Sequence, residues 1–239
     1  MRVRIPVVIL VIVTLFVGGL ANLQTIQAEP VPTGFVRVIH VSPGTSNIDI
    51  YLDGAKTPSI ANLGYGTSTG FIALPSATHI AVIRAAGSLP GADPLLVKSF
   101  ILSPDSHLNL VAIGLLSRKG SRGFLVLQIP ANFSPSDGLA RVQLIHASPD
   151  AGPITMSFNG QTALESLLYG DGLFTGIDAL AGSYNIAVAT TQRTPPVVIN
   201  LSNMGLAGNT LYTIVTVGLL KDIHPLILVD PLKIRVPKQ

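Results

Sequence analysis

Val38-Ile39-His40-Val41-Ser42-Pro43 and, about 105 residues later, Leu144-Ile145-His146-Ala147-Ser148-Pro149 are two versions of one phrase, I-H-x-S-P. Comparison of the chain with itself at an offset of 104 to 106 residues carries the match outward from that phrase. Ile48-Asp49-Ile50-Tyr51-Leu52-Asp53-Gly54 falls on Ile154-Thr155-Met156-Ser157-Phe158-Asn159-Gly160, and Tyr65-Gly66 falls on Tyr169-Gly170. Ile80-Ala81-Val82 is set over Ile186-Ala187-Val188, and Val111-Ala112-Ile113-Gly114-Leu115-Leu116 over Val215-Thr216-Val217-Gly218-Leu219-Leu220. A period this long far exceeds the roughly 20 to 50 residues of solenoid and propeller repeats, so the repeating unit is a domain with a closed core of its own.

Within each copy the residues alternate. Ile48, Ile50 and Leu52 share one face, as do Ile154, Met156 and Phe158, while Asp49, Tyr51, Thr155 and Ser157 point the other way, the period of a half-buried strand. Both runs end in Asp53-Gly54 or Asn159-Gly160, dipeptides that accept the positive φ angles of tight hairpin turns. Further short, β-branched runs, 95–102, 108–116, 124–129, 197–201 and 226–229, are bounded by Gly, Pro, Asn or Ser. The fold expected is therefore all-β: two tandem immunoglobulin-like antiparallel β-sandwich domains, with a small barrel as the alternative. The expected boundaries are 35–129 for the first repeat, 130–138 for a Pro/Ser/Asp linker and 139–230 for the second repeat.

Residues 1–28 read as a signal peptide, with Arg2 and Arg4 preceding an apolar run from Val7 to Leu20 and a small residue, Ala28, at the expected cleavage edge. That run falls short of the roughly 20 residues that cross a bilayer. A spacer, 29–34, and a basic tail, 231–239, complete the division. The expected location is secreted or in the cell envelope, with membrane attachment only through an uncleaved leader.

The chain has 15 Lys and Arg against 12 Asp and Glu, but two of the cations lie in the leader and Lys233, Arg235 and Lys238 in the tail. The excess forms no basic face, so nucleic acid is not an expected partner. With no Cys, disulfides, thiolate metal sites and the lipidated Cys of a lipoprotein are all excluded.

Candidate chemistry is sparse. Gly66-Thr67-Ser68-Thr69-Gly70 matches G-x-S-x-G, but a nucleophile elbow needs a helix after the Ser, and the second copy has Gly172 at that place. His40 with Ser42, and His146 with Ser148, could pair a base with a hydroxyl. Yet His40 shares its strand face with Val36 and Val38, and His146 with Val142 and Leu144, the positions of a histidine at a core margin. Pro43 and Pro149 then open turns, so the repeated element His40, Ser42, Pro43 and His146, Ser148, Pro149 is read as structural. His79, His107 and His224 align with Asn185, Leu211 and no clear partner, which argues against a metal site common to both copies. Asp53, Asp137 and Asp171 each precede Gly, as turn residues do, and no calcium loop is present. Tyr65 and Tyr169, the repeated aromatic pair, are the candidates for binding, with packing at a corner as the competing role. The Arg118-Lys119-Gly120-Ser121-Arg122 cluster reads as a solvated hairpin tip able to meet an acidic polymer.

One set of motifs resembles a known family: A-R-V-x-x-x-H-A-S-P-D-A at 140–151, the strand ending in Asn159-Gly160, Tyr169-Gly170, Leu180-Ala181-Gly182-Ser183-Tyr184, and Gly208-Asn209-Thr210-Leu211-Tyr212-Thr213 running into Val217-Gly218. Together they are similar to the exported prokaryotic domain-of-unknown-function family of the DUF four-three-nine-seven type, over nearly all of residues 35–230. The first copy departs from the pattern at Gly44 and Thr45 and at Pro75-Ser76-Ala77-Thr78. The resemblance implies export and tandem copies and brings no activity or cofactor. The expected function is a non-enzymatic structural or binding module without cofactor, its partner a cell-wall polymer, a glycan or another surface protein. A secreted hydrolase using Ser68 or the His/Ser elements is the alternative, and a glycan-binding module another.

Overall fold

A computed structural model describes residues 31–89, 91–134, 138–172, 176–190 and 196–231. The leader and the basic tail beyond Pro231 lie outside the described residues, as does Asp137. In the first repeat the strands are β1 Thr33–His40, β2 Ile48–Leu52, β3 Ile60–Leu63, β4 Thr67–Ser68, β5 Ile72–Pro75, β6 Thr78–Ala85, β7 Leu96–Ile101, β8 His107–Ile113 and β9 Leu125–Pro130. In the second they are β10 Ala140–His146, β11 Ile154–Phe158, β12 Gln161–Leu167, β13 Ile177–Ala179, β14 Gly182–Thr190, β15 Val197–Leu206, β16 Thr210–Val217 and β17 His224–Pro231. Among the described residues there is no α-helix, only the single 3-10 turns Gly120–Arg122 and Leu220–Asp222.

Each repeat is two layers. In the first, β3-β2-β6-β7 faces a sheet ordered β4-β1-β8-β9, with β5 also paired to β1. The second repeats that plan as β12-β11-β14-β15 over β13-β10-β16-β17. Residues from both layers close each core: Val36, Val38, Leu110, Ile50, Ile83 and Phe100 in one, Val142, Leu144, Ile214, Met156, Ile186 and Val188 in the other. The turns after β2 and β11 use the dipeptides expected, with φ of 52° and 75° at Asp53-Gly54 and 49° and 82° at Asn159-Gly160.

Two expectations are corrected. The sheets are not purely antiparallel, because β1 runs parallel to β8 and β10 parallel to β16. Such a pair joins strands far apart in sequence, and no local hairpin pattern announces it. The alignment of Ile80-Ala81-Val82 with Ile186-Ala187-Val188 is one residue out of register. Leu52 is paired with Ala81 and Phe158 with Ile186, so Ala81 is the counterpart of Ile186 and Ile80 that of Asn185. Burial agrees, since Ile80 is 48% exposed and Ile186 fully buried, and a slip of one residue exchanges the faces of a strand. His79 is consequently the counterpart of Tyr184, not of Asn185. The two side chains do the same work: His79 Nε2 donates to the Pro75 carbonyl at 2.8 Å, and Tyr184 Oη to the Leu180 carbonyl at 3.0 Å.

A third apolar layer lies between the repeats. Ile39, Val41, Val111, Ile113 and Ile129 of the first meet Ile145, Ala147, Val215 and Val217 of the second, all buried. The outward faces of β1, β8 and β9 are thus covered by those of β10, β16 and β17, and the described residues of both repeats cluster as one unit. The contact is reciprocal, as across a two-fold axis. Arg37 on β1 reaches Asp230 on β17, its Nη1 at 3.1 and 2.9 Å from the carboxylate oxygens, while its counterpart Gln143 on β10 donates to the Pro130 carbonyl on β9 at 2.8 Å.

Candidate functional site

The repeated His/Ser elements sit where the parallel strands of each repeat end, and all four side chains are fully buried. In the first, His40 Nε2 donates to the Ser46 carbonyl at 3.1 Å, and burial holds the imidazole below its ordinary pKa. In the second, His146 Nε2 donates to the Gly152 carbonyl at 2.7 Å, and burial again lowers the pKa. Ser42 Oγ donates to the Gly114 carbonyl at 2.6 Å and lies 2.6 Å from Thr45 Oγ1. No Ser meets a His in either element among the hydrogen bonds of the described residues. Each ring stands edge-on to its own tyrosine, His40 to Tyr65 and His146 to Tyr169, with centroids 6.1 Å apart in both pairs.

Those tyrosines stand at the junction of the repeats, each under the 3-10 turn of the other copy. Tyr65 looks across to the turn after β16. Pro43, Gly44 and Tyr65 from the first repeat and Gly218, Leu219, Lys221, Asp222 and His224 from the second enclose an open cleft of about 290 Å³. Tyr65 remains 37% exposed, and burial, then the charge of Asp222, raises its pKa. Lys221 and Asp222 lie 3.6 Å apart as an exposed pair, and His224 Nδ1 donates to the Asp222 carbonyl at 2.8 Å.

Tyr169 occupies the reciprocal place under the turn after β8, and there the cleft is filled. The Arg122 guanidinium lies 5.8 Å from the ring centroid, and a Cβ on the adjacent Gly170 would touch Ile113 and Leu127. The Tyr169 hydroxyl is buried with no hydrogen-bond partner, and burial, only partly offset by Arg122, pushes its pKa up to about 12. Two substitutions separate the clefts. Where the second repeat has Asp150, whose carboxylate accepts from the Leu220 amide at 2.7 Å, the first has Gly44, with open space where a Cβ would stand. Where β9 has Leu125 opposite Ile113, β17 has His224 opposite Val217.

Ser68 lies on β4 opposite Ile39, and Gly172 forms the matching bridge with Ile145. Ser68 is thus a strand residue with no helix after it. A Cβ at Gly172 would stand 2.9 Å from Ile129 Cδ1, so the glycine gives the other repeat room. Among the described residues no group of three or more His, Asp or Glu is placed to hold a metal ion.

Sequence reasoning found the paired tyrosines but missed their partners Arg122, Lys221, Asp222 and His224, which come from the opposite copy. It also missed Arg37, Asn109 and Asp230. A signal was present: apart from Arg37 and His40 in 36–41 and Asn109 in 108–113, both runs are apolar on either face, the composition of strands covered on both sides.

Fold and junction define a protein of two β-sandwich repeats joined face to face, with an open cleft at one end of their shared layer. The domain of unknown function DUF4397 matches residues 34–157 and again 140–239, and the chain belongs to that family as a tandem-repeat member. No curated protein matches it. Among the solved structures that it resembles is a Bacteroides uniformis protein carrying a provisional cell-adhesion name. The two are 7% identical with a TM-score of 0.29, the match covering 84% of this chain and 99% of that one. Likeness at that level leaves the role to be argued from the residues.

Proposed function

We propose that the chain is a non-enzymatic, extracellular or cell-envelope binding module, two immunoglobulin-like sandwiches fixed to one another, which holds its ligand in the cleft beside Tyr65. The observation that carries this reading is the inequality of the two junction clefts: the Tyr169 side is occupied by Arg122, while the Tyr65 side is left open and rimmed by Lys221, Asp222 and His224. The basic leader followed by an apolar run supports export. Full burial of His40, Ser42, His146 and Ser148 supports a role in holding turns, since a nucleophile and base need access to substrate. The partner proposed is a cell-wall polymer, a glycan or another surface protein.

Retention of the purified chain on cell-wall and surface-polymer fractions tests the reading. The expected result is retention by the parent protein and loss in Tyr65→Ala and Lys221→Ala, with Tyr169→Phe unaffected. Equal retention of all of them would place binding elsewhere, and turnover of an ester or glycoside that depends on Ser68 would replace the module with an enzyme.

A further inference from the structure

The cleft beside Tyr65 has a chemistry that narrows its ligand further, and the narrowing rests on the binding reading above. Its one aromatic wall is held from below, because Tyr65 stands edge-on against buried His40 at an interplanar angle of 82°. A ring fixed in that way offers a rigid apolar platform at little entropic cost to the ligand that covers it. Beside it, Gly44 leaves open space, and Gly218 keeps the opposite backbone close, since a Cβ there would stand 2.9 Å from the Asp222 carbonyl oxygen.

The rim carries no net charge, because Lys221 and Asp222 oppose one another at 3.6 Å. A carboxylate or phosphate arriving there meets Asp222 as well as Lys221, and an ammonium meets Lys221 as well as Asp222. Neither sign is favoured. Hydrogen-bonding capacity is instead mixed. Lys221 donates, the Asp222 carboxylate accepts, and the Tyr65 hydroxyl does either. His224, also part of the lining, gives its Nδ1 hydrogen to the Asp222 carbonyl, which leaves Nε2 for a polar partner. The volume of about 290 Å³ is at the small end of ligand sites, enough for one or two rings.

We propose that this cleft binds a neutral pyranose ring, one apolar face of the sugar on Tyr65 and its hydroxyls shared among Lys221, Asp222 and His224. A sugar presents donors and acceptors in turn around an uncharged ring, the pattern the rim matches. A single ring with one aromatic contact binds weakly, with a dissociation constant on the order of 1 mM, and a polymer gains by engaging many copies.

The test is a titration of the isotopically labelled full chain, followed by amide NMR. The neutral probes are methyl β-glucopyranoside, methyl N-acetyl-β-glucosaminide and methyl α-mannopyranoside, with glucuronate, glucosamine and adenosine as charged or flat comparisons. Saturable shifts of the Gly44, Gly218 and Leu219 amides with at least one neutral pyranoside are expected. Affinity should fall at least tenfold in Tyr65→Ala and only a few-fold in Tyr65→Phe, which keeps the platform, both variants giving the parent's unperturbed spectrum elsewhere. Silence of all three neutral probes, or tighter binding of adenosine or a charged sugar, overturns the proposal. Retention on a wall fraction that depends on Tyr65 despite such silence would leave the binding reading standing and remove only the sugar.

Discussion

In the second repeat Thr216 Oγ1 accepts from the Ala147 amide at 3.0 Å and lies 3.1 Å from His146 Nδ1, so both ring nitrogens of His146 are engaged. In the first repeat Ala112 stands at that level of the sheet, and His40 Nδ1 has no partner. The serines are the reverse: Ser42 is bonded to Thr45 and the Gly114 carbonyl, whereas Ser148, with Ala151 in place of Thr45, has a hydroxyl without a partner. Each copy completes one half of the same buried element and leaves the other half open. The duplicated phrase thus keeps its position in both copies, while its hydrogen bonds depend on residues elsewhere in each copy, Thr45 and Gly114 in one and Thr216 in the other.

The largest difference between the copies is at the shared layer, where Arg37 and Gln143 are equivalent but unequal. Arg37 is buried, bonded through Nε to Asn109 at 2.9 Å and paired with Asp230, and its guanidinium lies 4.3 Å from the Phe71 centroid. Removing the buried Arg37 leaves the part-buried charge of Asp230 uncompensated and takes the partner of Asn109, so Arg37→Ala should cost about 3 kcal/mol, the low end for a buried pair. Gln143→Ala, which loses one hydrogen bond to a carbonyl, should cost about 1 to 2 kcal/mol. Urea denaturation measures both, and the parent chain is expected to unfold in one transition because the layer couples the repeats. Equal costs would mean that the apolar contacts, and not the ion pair, fix the junction.

Next in size are the histidines. His146→Ala should cost about 2 to 3 kcal/mol, since it strands Thr216 and the Gly152 carbonyl and leaves a void, and His40→Ala about 1 to 2 kcal/mol, with only the Ser46 carbonyl stranded. Ala112→Thr is the sharper probe: a hydroxyl at that level would give His40 the partner His146 has, provided the core admits two more atoms. A larger loss at His40 than at His146 would reverse the comparison.

The pH dependence follows in sign from the same burial. His40, His107 and His146 are all lowered from 6.5 chiefly by burial. As pH falls through 6.5 the unfolded chain takes up protons that the folded one refuses, so these three reduce stability on acidification toward their folded values. His79 has the opposite sign. Burial opposes its charge, but the hydrogen bonds to Asp53 and the Pro75 carbonyl and the charge of Asp53 prevail, and its pKa is raised. Its contribution is fully present below 6.5 and is lost as pH rises through the folded value. The melting temperature should therefore fall from pH 7.5 to 5, and fall more steeply in His79→Gln. A rise over that range would mean that the three buried rings accept protons in the folded state.

How much of this was legible follows from what each feature depends on. The all-β class and the turns at Asp53-Gly54 and Asn159-Gly160 rest on local alternation and on positive φ, which a short window of sequence carries. The slip at Ile80 occurred because Ala81 and Ile186 differ in size while Ile80 and Ile186 are identical, so letter identity overrode face. Only the pairing with Leu52 and Phe158 sets the register. The parallel strands and the junction cleft depend on contacts across 70 residues or more, as between Ser42 and Gly114 or Leu220 and Asp150. Tyr65 and Tyr169 could be singled out as a pair, but nothing near either in sequence distinguishes the open site from the filled one.

The smallest effect expected lies at those tyrosines and concerns one hydroxyl each. Tyr65 is partly exposed, so its hydroxyl is hydrated folded and unfolded alike, and Tyr65→Phe should leave stability within about 0.5 kcal/mol. The Tyr169 hydroxyl is buried between the repeats without a protein partner. Such a group is dehydrated on folding with nothing gained in exchange, and its deletion at constant ring shape removes that cost. Tyr169→Phe should accordingly be neutral or stabilising by up to about 1 kcal/mol, a rise of a few degrees at most in a chain of this length. The ring and the Arg122 guanidinium above it are unchanged by the substitution, so the melting difference reports on the hydroxyl alone. Paired melts of the two Phe variants decide the matter. A loss of about 1 kcal/mol at Tyr169 would show that the hydroxyl is bonded through a bridging water, and the two junction clefts would then differ in what fills them and not in whether they are filled.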